Sequence, residues 1–317
     1  MTAETLRIGS RGSELALWQA RWVEAQLRRA HPGLAVALEI IRTTGDRILD
    51  APLSAIGDKG LFTKEIESAL LERRVDLAVH SLKDLPTGLP AGLALGAVCE
   101  REDVRDAFLP HPRNPVRTLA AQPHGAAVAT GSLRRKCQLL ALRPDLRIVD
   151  IRGNLNTRMR KLEESDWAGM MLAAAGVKRL GWEQSIGEIV EPDVILPAVG
   201  QGALGIEIRV DDARTRALVA PLHHGPTAAA AYAERAFLRV LEGGCQVPIG
   251  TWARIVTDGG RPVLRLDGVV GSLDGTRVVR GSAAGDPGEP EELGAALAHR
   301  VLADGAAAIL AAIRSAV

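Results

Sequence analysis

Cysteine is scarce in this chain: Cys99, Cys137 and Cys245 are the only three in 317 residues, and no two lie close in sequence. An odd and widely spaced set excludes a disulfide framework and the paired spacing of a zinc site, and it fits a reducing compartment. No metal centre is expected. An excess of charge of either sign is also missing. Lys and Arg number 39 against 38 Asp and Glu, so no overall positive field recruits nucleic acid, and any basic site must be local. No uninterrupted apolar run reaches bilayer-spanning length, and residues 1–7 lack the basic-then-apolar pattern of a secretion signal. The expectation is a soluble cytoplasmic protein that engages neither nucleic acid nor membrane.

What is present is an ordinary globular composition, 47% hydrophobic and 24% charged, in a chain long enough to need two or three domains. Leu6-Arg7-Ile8-Gly9 reads as a short strand, and Ser10-Arg11-Gly12-Ser13 turns it into a helix capped by Ser13, with Leu15, Trp18, Trp22 and Ala25 as its core face. A buried strand over 34–41 is followed by an irregular segment, 43–60, whose length suggests a functional loop or lid. A helix over 62–73 leads into the strand 75–80, which stops abruptly at Ser81-Leu82-Lys83-Asp84-Leu85-Pro86. Residues just past the carboxyl ends of strands in open α/β sheets face the ligand crevice, which makes Lys83 and Asp84 site candidates. A second α/β unit repeats the design. Strands over 126–129, 146–151 and 169–173 run into Thr130-Gly131-Ser132, Arg152-Gly153-Asn154 and Ala174-Ala175-Gly176 before Lys178-Arg179, and Cys137 falls on an apolar helix stripe. Residues 196–205 hold too many helix breakers and read as a crossing back to the first unit. The last third differs. Strand-like runs around 247–256, 263–270 and 276–281 are separated by Asp258-Gly259 and Asp274-Gly275, and an Ala-rich helix over 291–313 closes a small α+β domain.

A strand, a Gly-containing turn, a Ser or Asn cap and a helix recur with arginine beside the turn, at Ser10-Arg11-Gly12-Ser13, at Thr130-Gly131-Ser132-Leu133-Arg134-Arg135, and at Arg152-Gly153-Asn154 with Arg158. Helix N-termini offer free N–H donors and partial positive charge, and arginine adds bidentate recognition, so each turn suits a carboxylate or phosphate. None matches a P-loop or a dinucleotide fingerprint, which favours a ligand rich in carboxylates over a nucleotide.

Cys245 stands apart. Pro226 opens a helix with Tyr232, Ala233, Ala236, Phe237, Val240 and Leu241 on one stripe and Arg235, Arg239 and Glu242 outside. Gly243 and Gly244 stop it and Pro248 prevents a restart, leaving Cys245 on a turn. The negative end of a helix opposes thiolate formation, so the position suits an attachment point better than a nucleophile.

The stretch Leu241-Glu242-Gly243-Gly244-Cys245-Gln246-Val247-Pro248-Ile249-Gly250 resembles the cofactor-attachment site of the hydroxymethylbilane synthase (porphobilinogen deaminase) family. The segments Gly57-Asp58-Lys59-Gly60-Leu61-Phe62, Ala78-Val79-His80-Ser81-Leu82-Lys83-Asp84-Leu85-Pro86, Gly131-Ser132-Leu133-Arg134-Arg135, Arg152-Gly153-Asn154 and 196–205 resemble its other signatures. Two departures are minor: Ala168 stands where an acidic residue is common, and Ser10 where threonine is common. The resemblance implies an α/β fold of two periplasmic-binding-protein-like domains plus a small C-terminal α+β domain, drawn at 1–101 with 202–221, 102–201 and 222–317. It implies a transferase of tetrapyrrole (porphyrin, haem) biosynthesis. Such an enzyme joins four porphobilinogen molecules head to tail with release of ammonia and hydrolyses the product to hydroxymethylbilane, on a dipyrromethane cofactor bound to Cys245 by a thioether. The partners implied are porphobilinogen and the growing polypyrrole chain, and a monomer is expected.

By the same resemblance Asp84 and Lys83 are catalytic, Asp84 stabilising the positive charge left when ammonia departs. Ser13, Lys83, Asp84, Thr130, Ser132, Arg134, Arg135, Arg152 and Asn154 hold the cofactor, and Arg11, Ser13, Phe62, Arg152, Arg158, Arg179 and Gln201 hold the substrate. Two rival readings remain. A non-catalytic two-lobed binding protein for an anionic solute would share the architecture, yet it predicts a secretion signal and no special cysteine. A Cys/His hydrolase would need His80, His223 or His224 as base, and no spacing selects one.

Overall fold

Short apolar runs that end at Ser, Thr or Gly become strands feeding capped helices. The structure, a computed structural model, describes residues 5–47, 63–241 and 247–315. The first elements in chain order are β1 (Leu6–Ser10), α1 (Glu14–Ala30), β2 (Val36–Ile40), α2 (Thr44–Arg47), α3 (Lys64–Leu71), β3 (Leu77–Ser81) and β4 (Leu93–Val98). Then come β5 (Asp106–Pro110), β6 (Ala127–Ala129), α4 (Leu133–Leu142), β7 (Arg147–Val149), α5 (Leu155–Glu163), β8 (Gly169–Ala173), α6 (Ala174–Arg179) and β9 (Glu188–Val190). The chain finishes with β10 (Leu204–Arg209), α7 (Ala213–Val219), α8 (Gly225–Val240), β11 (Ile249–Asp258), β12 (Arg261–Gly271), β13 (Val278–Gly285), α9 (Pro290–Val301) and α10 (Ala307–Ser315).

Two five-stranded sheets share one plan. In the first, ordered β2-β1-β3-β10-β4, β1 runs parallel to β2 and β3, while β10 is antiparallel to β3 and β4. In the second, ordered β7-β6-β8-β5-β9, β6 runs parallel to β7 and β8, while β5 is antiparallel to β8 and β9. The parallel strands supply the carboxyl ends at which the basic turns sit. β11, β12 and β13 form a third, antiparallel sheet, whose inner face packs Ile249, Leu264, Leu266 and Val270 against Phe237 of α8, Leu297 and Val301 of α9 and Ile309 and Leu310 of α10. The chain divides into two compact units, residues 1–102 with 203–228, and 103–202 with 229–317. The first holds the first sheet and the second holds the other two.

Several expectations are corrected. The buried stripe of α1 is Gln19, Ala20, Val23 and Leu27, one residue on from the expected face, and Trp18 is 36% exposed. The reason is Gln19: its amide donates to Ser81 Oγ at 2.8 Å, and a hydropathy stripe cannot place a polar residue in a core. Arg235 is buried instead of facing out. Its neighbour Glu234 accepts hydrogen bonds from Gly200 N and Ala253 N, both at 2.7 Å, so α8 is covered on more than one side. The closing helix is broken at Gly305, whose φ of 115° lies in the left-handed region, and a wide turn, Leu302–Ala306, separates α9 from α10. That stretch, Pro290–Ser315, is long and apolar enough by composition to cross a bilayer, although His299, Arg300 and Asp304 interrupt its apolar run. Its Leu297, Ala298, Val301, Ala306, Ile309, Leu310 and Ile313 are buried in the core of the third sheet.

Candidate active site

In the first unit the polar residues collect past β1 and β3, which are neighbours in the sheet. Ser13 caps α1, its Oγ accepting from Ala16 N at 3.4 Å, and the buried Ser10 Oγ lies 3.1 Å from the Arg11 carbonyl and 3.2 Å from that of Ala16. Arg11 and Ser13 are half-buried on this turn. β3 ends in a 3₁₀ turn, Leu82–Asp84, pinned by Leu82 N donating to Ala203 O at 3.0 Å. Lys83 is half-buried there and Asp84 exposed, so Lys83 and Asp84 share a sheet edge with Arg11 and Ser13.

In the second unit the turns past β6, β7 and β8 share an edge in the same way, because β6 lies between the other two. A Cβ on Gly131 would stand 2.5 Å from Ile151 O, so only glycine lets these strand ends approach. Thr130 Oγ1 accepts from Ser132 N at 3.2 Å, and Ser132 caps α4 by accepting from Arg135 N at 3.4 Å. Gly153 has φ of 114° and sets up Asn154, whose Oδ1 caps α5 by accepting from Thr157 N at 2.9 Å. Arg158 Nε donates to Gly153 O at 2.8 Å, and Arg152 Nε lies 3.4 Å from Asp150. On α6, Arg179 donates to Gly202 O at 2.6 Å, and Lys178 to Asp103 at 2.9 Å.

Arg134 and Arg135 point inward. Both are buried and converge on Asp106, the first residue of β5, which is 0% exposed. Arg134 donates to both Asp106 oxygens, at 2.7 and 3.2 Å, and to Leu196 O at 2.7 Å. Arg135 donates to Asp106 Oδ1 at 2.7 Å and to Met171 O at 3.1 Å. Gln201, also buried, reaches the same oxygen at 2.8 Å and Val104 O at 2.8 Å. The terminal guanidinium nitrogens and the Gln201 amide are thus committed inside the unit, where the sequence reading had them facing a ligand. Burial alone would raise the Asp106 carboxyl, but the two guanidinium groups hold it well below the usual carboxylate range. Arg134 is pushed down, by burial first and by the charge of Arg135 beside it.

Two guanidinium groups against one carboxylate leave a buried excess of one positive charge. Nε of each arginine is buried with no acceptor among the described residues. A buried positive charge with unmatched donors is unfavourable unless an anion approaches, so the donor set fits a carboxylate-bearing group. Asp106 and Glu234 were both missed by sequence reasoning. No local signal marks either, since Asp106 meets Arg134 and Gln201 across 28 and 95 positions and Glu234 meets Gly200 and Ala253 across 34 and 19.

Phe62, Cys245 and residues 48–60 of the expected loop lie outside the described residues. Pro248, three positions beyond Cys245, has its carbonyl 3.9 Å from Cys137 Sγ on α4, the helix that carries Arg134 and Arg135. Burial pushes the Cys137 thiol up to about 11, which keeps it inert. The histidines proposed for a hydrolase are engaged elsewhere: His80 with Glu207, His224 with Thr227, and His223 as acceptor for Val98 N.

Residues 6–217 match the family model described as the dipyromethane cofactor binding domain of porphobilinogen deaminase, and residues 228–303 match that of its C-terminal domain. The porphobilinogen deaminase of Desulfitobacterium hafniense is 52% identical over 311 residues, 98% of each chain. That of Gloeobacter violaceus is 53% identical over 309 residues, covering 97% of this chain and 93% of its own. Among solved structures, the periplasmic aliphatic sulphonate binding protein of Escherichia coli is similar with a TM-score of 0.41 at 15% identity, over 75% of this chain and 71% of the other. Matched along nearly its whole length by both family models and by relatives identical at more than half of their positions, the chain belongs to the porphobilinogen deaminase family.

Proposed function

We propose that the protein is a hydroxymethylbilane synthase, a transferase that joins four porphobilinogen molecules head to tail with loss of ammonia and releases the linear product by hydrolysis. Beside family membership, the observation that carries this reading is the unbalanced positive charge of Arg134 and Arg135 on Asp106, at the edge where the turns past β6, β7 and β8 gather. Porphobilinogen bears an acetate and a propionate, so a chain of such units accumulates the negative charge this edge lacks. The family's dipyrromethane, joined to Cys245 by a thioether, supplies the carbon at which the product chain starts.

The remaining roles belong to side chains of this protein. Ser13, Lys83, Thr130, Ser132, Arg152 and Asn154 hold carboxylates of the cofactor by cap hydroxyls, helix N-termini and charge. Arg134 and Arg135 act there through their buried positive charge and Nε–H groups, since their forks are committed to Asp106. Arg11, Arg158 and Arg179, with Phe62, receive the incoming monopyrrole, and Gln201 holds Asp106 in register. Asp84, exposed at the end of β3, stabilises the positive charge that develops on the pyrrole as ammonia leaves and accepts a proton from it. The third sheet and its helices, with Cys245 before β11 in the sequence, form a cofactor-attachment domain at 222–317, and the α/β domains are 1–101 with 202–221 and 102–201. A cytoplasmic monomer completes the reading.

Intact mass spectrometry tests it. The purified chain is expected to be heavier than its sequence by two pyrrole units, and Cys245→Ser to have the bare mass and no turnover. An unmodified chain with full activity would refute the covalent assignment.

A further inference from the structure

The strand that presents Asp84 is braced from both faces by residues with no role in the chemistry so far described. Side chains of β3 alternate: Leu77 and Val79 join the core under α1, and Ala78 joins the core under α3. The last two residues keep the alternation with polar groups. Ser81 faces α1, where its Oγ accepts the Gln19 amide at 2.8 Å. His80 faces α3, and its Nε2 lies 3.1 Å from Oε2 of Glu207 on β10. In the register of these strands His80 stands opposite Gly205 and Glu207 opposite Ala78, so the pair spans the strands diagonally.

The His80 and Glu207 side chains are 4% and 0% exposed. Glu67, also buried, enters the same place from α3, and Oε1 of Glu67 and Oε1 of Glu207 have no partner among the described residues. Burial, reinforced by the charge of Glu207, raises Glu67, so it keeps its proton to higher pH than an exposed glutamate. Apolar residues of equal volume are often no less stable in such a place, so these two carboxyls and the imidazole are weak contributors to stability.

We propose that His80 and Glu207 are positioning residues for the reaction. Their buried hydrogen bond, with Gln19 on Ser81 across the sheet, fixes the end of β3 and hence the direction in which the turn Leu82–Asp84 presents the Asp84 carboxylate. The proposal rests on the catalytic reading of Asp84, and a double-mutant cycle in the loaded holoenzyme separates the two. Glu207→Gln preserves shape and removes the charge that orients His80. It is expected to lower kcat about tenfold, as small displacements of a reacting group do, with KM for porphobilinogen, holoenzyme mass and melting temperature near wild type. In an Asp84→Asn background, followed by quenched single turnovers, the same substitution is expected to cost less than about twofold, because the group it positions is gone. Ser81→Ala loosens the strand end from the other face without touching the buried pair, and keeps the test available if Glu207→Gln folds poorly. It is expected to show the same loss of kcat and the same non-additivity. Equal losses in both backgrounds, or full kcat in both Glu207→Gln and Ser81→Ala, would overturn the positioning role while leaving the Asp84 assignment intact. Near-normal turnover of Asp84→Asn would overturn both.

Discussion

Asp106 is the counter-charge to the buried Arg134 and Arg135, and its effect on stability has a definite sign. Its folded carboxyl titrates below the ordinary aspartate range, so the unfolded chain binds more protons there, and the stabilisation is present above that range and lost as pH falls through the folded value. Asp106→Asn leaves two buried guanidinium groups without a counter-charge and is expected to cost about 3–5 kcal/mol at neutral pH. Urea unfolding against pH checks this. The gap between wild type and variant should narrow as pH falls below the aspartate range, and a gap independent of pH would contradict it. Asp84 belongs to another part of the account, since Asp84→Asn is expected to keep the loaded mass and substrate affinity while kcat drops about a thousandfold in steady-state assays. Turn residues such as Ser13, Gly131 and Asn154 were legible in the sequence because caps and close approaches need particular local chemistry. Asp106 was not, since its partners Arg134 and Gln201 lie 28 and 95 positions away and nothing local announces them.

At the scale of elements, the strand–turn–helix unit could be read because its signals are contiguous. The helix phase was less legible. α1 turns one residue from its hydropathy stripe because Gln19 is buried to reach Ser81, and α8 buries Arg235 because Glu234 holds two backbone N–H groups. The turn into α5 carries its own prediction. Gly153 has φ of 114°, and a Cβ there would stand 2.6 Å from Thr157 Cγ2 and 2.8 Å from its Cβ. Gly153→Ala is therefore expected to destabilise by about 1–3 kcal/mol and to disturb the Asn154 cap. Thermal unfolding reads the cost, and a melting temperature equal to wild type would show that the turn relaxes freely.

Across the whole molecule, two sheets with one plan were legible as a repeated pattern of strand and capped helix, and the hairpins of the third sheet by Asp258-Gly259 and Asp274-Gly275. The exchange of strands was not. β10 enters the first sheet antiparallel to β3 only after the second sheet has been built, and the His80 to Glu207 pair it creates spans 127 positions. Such pairings are settled by the burial of whole faces rather than by any local run. The central claim is that these parts together polymerise porphobilinogen, and incubating the purified holoenzyme with porphobilinogen tests it most directly, with porphobilinogen, ammonia and product followed together. One ammonia released for each porphobilinogen consumed, and one linear tetrapyrrole for every four, is the predicted result. Porphobilinogen bound but neither consumed nor deaminated would contradict it.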